Sequence, residues 1–349
     1  MARRAEGYSR IGVLYMSRRG ISGLLIEAGA LMGLMSIPAL VRSADRHRER
    51  KGGAADRPSI LDGKEKEGVR SQDGTALHVD YLGDNDPTVF LVHGYSESGQ
   101  IFRYQKPYLA GKYRVVSLDL RGHGRSEVPQ SRDYDIERLA EDLKAAVDAF
   151  EPERFVIAGH SMGGFTSFVF YHRFGKDYEG RLKGLAVIDS TGVDLTGASL
   201  RWRVFMNLGK QLVDNKFTRA AAAKMEYSSI TYIFLRWLAF GKRPPAGEIE
   251  FLQRIAASTP IASLKGSAKG CDNYMFERHL PGVDIPVVLL VGSEDSLMAD
   301  DRRNQRTYSI LPDARLEVFE GAGHMAPVER PEEINRALDG FLTEVFAGE

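Results

Sequence analysis

One cysteine in 349 residues leaves no partner for an intramolecular disulfide, so the core must hold without covalent staples. No glycine-framed turn surrounds Cys271, and it reads as a small apolar filler rather than a nucleophile. Net charge is absent too: 47 Lys and Arg balance 47 Asp and Glu. Without a long-range positive field, nucleic acid is not an expected partner. No cluster of His, Asp or Glu has metal-ligand spacing. The only glycine-rich candidate for a phosphate loop, "GHGRS", lacks the strand-to-helix frame and later acid that a dinucleotide needs. Neither metal nor cofactor is expected. What remains is an ordinary globular composition, 43% apolar and 27% charged, with length for one large core and an insertion.

Residues 1–60 stand apart. "MARRAEGYSRIGVLYMSRRG" is basic, "ISGLLIEAGALMGLMSIPALV" is apolar apart from Glu27, and the stretch that follows is basic and loop-like. As a helix, residues 21–41 would be roughly 30 Å long, enough to cross a bilayer. Glu27 lies near the N-terminal edge of the run, where a carboxylate can stay hydrated. Membrane association through this segment is the first expectation. An export signal is the alternative, because Ser17, Arg18 and Arg19 before a moderately apolar stretch resemble a twin-arginine signal. A helix packed on the protein's own surface is the third. Arginines on both sides leave orientation unread.

From about Gly68 the pattern alternates strand and helix. "TVFLVHG", "YRVVSLDL", "RFVIAGHS", "LKGLAVIDS" and "IPVVLLVGSED" are continuous apolar runs, as in strands buried on both faces. "IERLAEDLKAAVDAF" and "PEEINRALDGFLTEVF" carry apolar residues at helical spacing. Such alternation predicts an α/β fold, a mostly parallel sheet with helices on both faces and functional residues at the carboxyl ends of its strands.

The most informative stretch is "VIAGHSMGGF". A serine on a sharp strand-to-helix turn has a strained backbone, and side chains two residues before and after it would collide. Gly159 and Gly163 remove them, and the turn presents the Ser161 hydroxyl. His324, after the last strand, can serve as its base, and Asp295, after the preceding strand, can orient that base. Asp189, after "LAVI", is the rival acid. Asp119 also ends a strand; in sequences that this stretch, "DLRGHGRS", resembles, the Asp and the Arg two residues on are structural and hold loops together.

The pieces "VHGYSESG", "DLRGHGRS", "GHSMGG", "VGSED" and "GAGHMAPVERPEEIN" occur in an order that resembles the α/β-hydrolase superfamily, over residues 68–349. The resemblance implies an α/β-hydrolase fold in which Ser161 is the nucleophile, Asp295 the acid and His324 the base. It implies an oxyanion hole from the backbone N–H groups of Tyr95 and Met162, with His93 and Gly94 shaping the first loop. It also implies a helical cap inserted after the strand ending "VIDS". The chain then divides into the N-terminal segment 1–60, a core of residues 61–190 and 283–349, and a cap of residues 191–282. The cap is rich in large apolar residues, Trp202, Phe205, Phe217, Tyr232, Phe234 and Trp237 among them. Apolar groups over a polar site suit an ester with an acyl or aromatic part.

The expected activity is carboxylic ester hydrolysis of the esterase or lipase kind. A serine at position 161 excludes the superfamily branches that attack with aspartate, the dehalogenases and epoxide hydrolases. Carbon–carbon bond hydrolases and cofactor-free perhydrolases use the same triad and are the enzymatic alternatives. A relative that keeps the fold and binds without turnover is the non-enzymatic one. The sequence further predicts that the full-length, uncleaved chain partitions with membranes through residues 21–41, while a chain beginning near Ser59 is soluble and fully active on soluble esters. Cell fractionation checks the first statement: uncleaved protein in the soluble fraction overturns the anchor, and a mature chain beginning near Ala44 makes the segment an export signal.

Overall fold

The apolar runs form the middle of an eight-stranded sheet, ordered β1-β2-β4-β3-β5-β6-β7-β8. The computed structural model describes residues 40–47, 63–193, 228–272, 277–298 and 301–347. The strands are β1 (Lys64–Glu65), β2 (Val79–Leu82), β3 (Thr88–Val92), β4 (Arg114–Leu118), β5 (Phe155–His160), β6 (Leu182–Ile188), β7 (Val287–Gly292) and β8 (Ala314–Phe319). β2 runs antiparallel to β4, and every pair from β4 through β8 is parallel. β1 is a two-residue exposed edge strand that no apolar pattern announces.

Alternation along each strand feeds two cores. Phe90, Val92, Ile157, Val187 and Leu289 face one layer, and Val89, Leu91, Val156, Ala186 and Leu290 face the other. Helices α1 (Ile136–Phe150) and α2 (Met162–Phe174) cover the first face. The second is covered partly by a helix following β8 and its loop, Pro331–Ala347. Cys271 is buried in the first core. Since central strands are buried on both sides, their carboxyl-end loops are the places left to carry function.

Between β6 and β7 the described residues hold helices and no strand: α3 (Ser229–Ala239), α4 (Ala246–Ser258) and α5 (Ile261–Asp272). Trp202, Phe205 and Phe217 lie outside the described residues. Of the other apolar residues expected in a cap, Tyr232 is fully buried, Phe234 is partly buried against the first core, and Trp237 is exposed. Beyond β7 come α6 (Asp301–Ile310) and the closing helix, α7 (Pro331–Ala347).

The stretch read as a loop-like tether is different at its start. Residues 40–47 are helical and dock on the insertion. Asp45 is buried and accepts hydrogen bonds from Tyr232 Oη (3.1 Å) and Arg236 Nε (2.9 Å). Arg42 and Arg46 pair with Glu250 at 3.0 and 2.6 Å. Composition suggested a solvated basic run, but these charges have specific partners on α3 and α4. Residues 21–39 of the expected anchor lie outside the described residues, among which no helix is long and apolar enough to cross a membrane.

These contacts bear on the expected independence of the body from everything before Ser59, and their contribution can be measured. Asp45→Ala leaves two donors on α3 without this acceptor. It should lower stability by about 1–3 kcal/mol, and a chain beginning near Ser59 should lose at least as much. Urea unfolding of the three proteins checks this, and coincident midpoints would show that the docking contributes nothing.

Candidate active site

Ser161 sits between β5 and α2 with φ 51° and ψ −116°, a conformation that L-residues rarely adopt. Two glycines make the turn sterically feasible. A Cβ on Gly159 would lie 2.3 Å from the Gly163 carbonyl oxygen, and one on Gly163 would lie 2.1 Å from that of Val92. The backbone is held from both sides: Ser161 N–H donates to the Ile188 carbonyl (2.9 Å), and Ser190 Oγ donates to the Ser161 carbonyl (2.7 Å).

Three strand-end loops meet there. The Ser161 hydroxyl donates to His324 Nε2 at 2.9 Å, and His324 Nδ1–H donates to Asp295 Oδ2 at 2.9 Å. Asp295 Oδ1 accepts the N–H groups of Leu297 (2.9 Å) and Met298 (3.2 Å). Burial works to raise the Asp295 carboxyl, but His324 and these two N–H groups outweigh it and hold the group below the usual carboxylate range. A hydroxyl, an imidazole and an ionised carboxylate in sequence can activate the hydroxyl as a nucleophile, with the proton passing to His324.

Asp189, the rival acid, is committed elsewhere. Its Oδ1 accepts Gly292 N–H and its Oδ2 accepts Ala326 N–H, both at 2.8 Å. Burial, and then the charge of Asp295, push its carboxyl upward. It ties the end of β7 to the loop that carries His324. Asp119 likewise accepts Gly99 N–H (2.7 Å) and Arg125 N–H (2.9 Å), and buried Arg121 pairs with Asp142 at 2.6 Å. These residues hold loops, as the sequence suggests.

The loop after β3 lies against the serine: a Cβ on Gly94 would be 2.9 Å from Ser161 Cβ. His93 braces that loop, with Nδ1–H donating to the Gly94 carbonyl (2.7 Å) and Nε2 accepting Leu120 N–H (3.0 Å). Burial lowers its pKa to about 4, so the ring is neutral and structural. Tyr95 and Met162 flank Ser161 from the loop and from the first position of α2, and the Tyr95 hydroxyl donates to the Leu264 carbonyl of α5 at 2.9 Å.

Two carboxylates around the site, Glu97 and Glu329, escaped the sequence reading of roles. Glu97 accepts Gly94 N–H at 2.7 Å and lies 3.0 Å from His160 Nδ1. Glu329 accepts Gly323 N–H and Gly241 N–H, both at 2.9 Å, joining the His324 loop to the segment after α3. Burial, reinforced by Asp189, pushes Glu329 up to about 7. The available signal was a carboxylate four residues after His93 and another five residues after His324, each inside an otherwise uncharged loop or short turn.

The steric reading has a direct consequence. Gly163→Ala, which drives a methyl into the Val92 carbonyl, should destabilise the fold by about 3 kcal/mol or more, measurable by chemical denaturation. Unchanged stability would mean that the elbow relaxes more freely than its contacts allow.

A family model described as alpha/beta hydrolase fold matches residues 87–331. Epoxide hydrolase 3 of Xenopus tropicalis is 24% identical, covering 93% of this chain and 92% of that protein. Among solved structures, a membrane phospholipase A described as a bacterial virulence factor is 25% identical with TM-score 0.64, covering 94% of this chain and 99% of its own. An esterase from Exiguobacterium antarcticum is similar in fold, with TM-score 0.66 at 20% identity over 80% of this chain and 99% of its own.

Proposed function

The chain belongs to the α/β-hydrolase family, and from that premise we propose that it is a serine hydrolase acting on carboxylic esters. The observation that carries this reading is the unbroken hydrogen-bond chain from Ser161 through His324 to Asp295, set at a strained strand-to-helix turn. Ser161 Oγ attacks the ester carbonyl while His324 Nε2 takes its proton. Asp295 holds the imidazole and stabilises its charge. The N–H groups of Tyr95 and Met162 stabilise the developing oxyanion. His324 then protonates the leaving alcohol, and a water activated by the same base releases the acid.

Epoxide opening does not suit this site. Attack of a serine oxygen on an epoxide carbon yields an ether, which has no carbonyl for water to attack and would leave the enzyme alkylated. An acyl-enzyme is hydrolysable by the same base and oxyanion donors. Carbon–carbon bond hydrolysis and perhydrolysis can use the same three residues, and a substrate screen separates them from ester hydrolysis.

The substrate proposed is an ester with an apolar acyl or aromatic part, and membrane association through residues 21–41 would bring the enzyme to such substrates. The match to a membrane phospholipase A over nearly the whole chain supports both, as does the apolar composition of the insertion between β6 and β7. The insertion is proposed as a cap that selects substrate. Release as an exported protein is the alternative to anchoring.

Fluorophosphonate labelling of Ser161 and a series of p-nitrophenyl esters from short to long acyl chain test the reading. Ser161→Ala and His324→Ala should each lower kcat/KM by about 10⁴-fold or more, and Asp295→Asn somewhat less. Asp189→Asn should chiefly lower stability, since it replaces an acceptor of a buried N–H with a group that cannot accept at both positions. An Asp295→Asn enzyme near wild type beside an inactive Asp189→Asn would reverse the acid assignment. Absence of labelling and of turnover would make the protein a binding relative.

A further inference from the structure

Two buried ionisable residues next to Ser161 take no part in the acyl-transfer scheme. His160, the last residue of β5, is fully buried. Its Nδ1 lies 3.0 Å from Glu97 Oε2, and its Nε2 lies 2.8 Å from the backbone carbonyl oxygen of His324. An ionised carboxylate and a carbonyl oxygen can only accept. Both ring nitrogens therefore donate, and the ring is an imidazolium. The same Glu97 oxygen accepts Gly94 N–H at 2.7 Å, one residue before the proposed oxyanion donor Tyr95. One relay thus runs from Gly94 N–H through Glu97 and His160 to the His324 carbonyl. Its ends are the backbones of the two loops whose spacing decides whether nucleophile, base and oxyanion donors meet.

We propose that Glu97 and His160 are a positioning pair, a buried carboxylate–imidazolium strut that sets the separation of the oxyanion loop from the loop carrying His324. This rests on the serine-hydrolase reading above. Stability alone is a weak reason to bury such a pair, because removing two charges from water offsets most of their attraction. Direction is a better reason: charge-assisted hydrogen bonds are short and tolerate little displacement. The groups facing His160 are Glu97 and His93 from the β3 side, Asp189 at 3.9 Å from the end of β6, and from the loop after β8 both the His324 carbonyl and the His324 ring, whose centroid is 5.1 Å away. Burial opposes a charge on His160, but Glu97 outweighs it and the group is pushed up to about 9. Glu97, despite its own burial, is held below the usual carboxylate range by His160.

The test needs no knowledge of the natural substrate. In the full-length chain carrying ¹⁵N-labelled histidine, one ring at pH 7.5 should show two slowly exchanging N–H protons, and that signal should vanish in His160→Gln. Glu97→Gln should leave His160 with a single ring N–H. On p-nitrophenyl butyrate both variants should lose about 10–100-fold in kcat while KM stays within about two-fold. The double variant should fall no lower than the slower single one. A wild-type His160 with one ring N–H overturns the proposal, whether or not the variants fold. So do additive losses, or losses shared by kcat and KM. A wild type that binds no fluorophosphonate and turns over no ester fails the hydrolase reading instead, and the ring-proton count still reports on the strut separately.

Discussion

The backbone of Ser161 is the constraint on which the rest of the site depends. Its φ of 51° belongs to a region that costs a non-glycine residue on the order of 1–3 kcal/mol and persists only when its surroundings over-determine it. Here they do. Ile188 and Ser190 grip the backbone on the β6 side, and the absent side chains of Gly159 and Gly163 let β3 and α2 close on the other. The hydroxyl is left with one place to be. Everything else at the carboxyl edge of the sheet is arranged to meet it, and the 2.9 Å contact with His324 records that agreement.

Meeting it requires irregular backbone packed out of solvent, and irregular backbone has N–H groups that no sheet partner satisfies. Carboxylates supply the missing acceptors. Asp189 takes the N–H groups of Gly292 and Ala326, Glu329 those of Gly241 and Gly323, Asp119 those of Gly99 and Arg125, and Glu97 that of Gly94. A carboxylate suits this work because its two oxygens can join two separate loops. The density of acids around the site is therefore mostly architectural. Among the described residues only Asp295 points an oxygen at His324 Nδ1, and that geometry, rather than acidity or position on a strand end, separates it from its neighbours.

Regular elements were legible where local pattern and tertiary environment agree. α1 follows the helical spacing of "IERLAEDLKAAVDAF" to the residue, and α7 that of "PEEINRALDGFLTEVF" with one residue added. α5 was not legible, and the reason is steric. "IASLKGSAKGCD" carries two glycines, which oppose a helix in isolation. In the fold they permit close approach: a Cβ on Gly266 would lie 2.1 Å from Tyr134 Cδ2, and one on Gly270 would lie 2.3 Å from the Tyr134 carbonyl oxygen. Packing overrides propensity there. The Ser161, Asp295 and His324 positions were readable because strand ends and turn glycines mark them. The roles of Glu97 and Glu329 were not, because a hydrogen bond between loops 63 or 88 residues apart leaves no periodic trace. The docking of Asp45 on α3 escaped for the same reason.

The same long-range bonds fasten the insertion to the chemistry. Tyr95, the proposed oxyanion residue, reaches from its loop to the Leu264 carbonyl of α5. Glu329 joins the His324 loop to Gly241, just after α3, and Glu294, beside Asp295, accepts Lys242 N–H at 2.6 Å. The insertion is thus bonded to each loop that the proposed reaction uses: one contact to the oxyanion side, one to the base side and one to the acid side. Contacts this close leave α3 and α5 little freedom to move independently of those loops. A displacement of α3 or α5 must either break one of these hydrogen bonds or carry a reacting loop with it. The proposed cap would therefore do more than limit entry, because the positions of α3 and α5 and the alignment of the reacting loops are set by the same bonds.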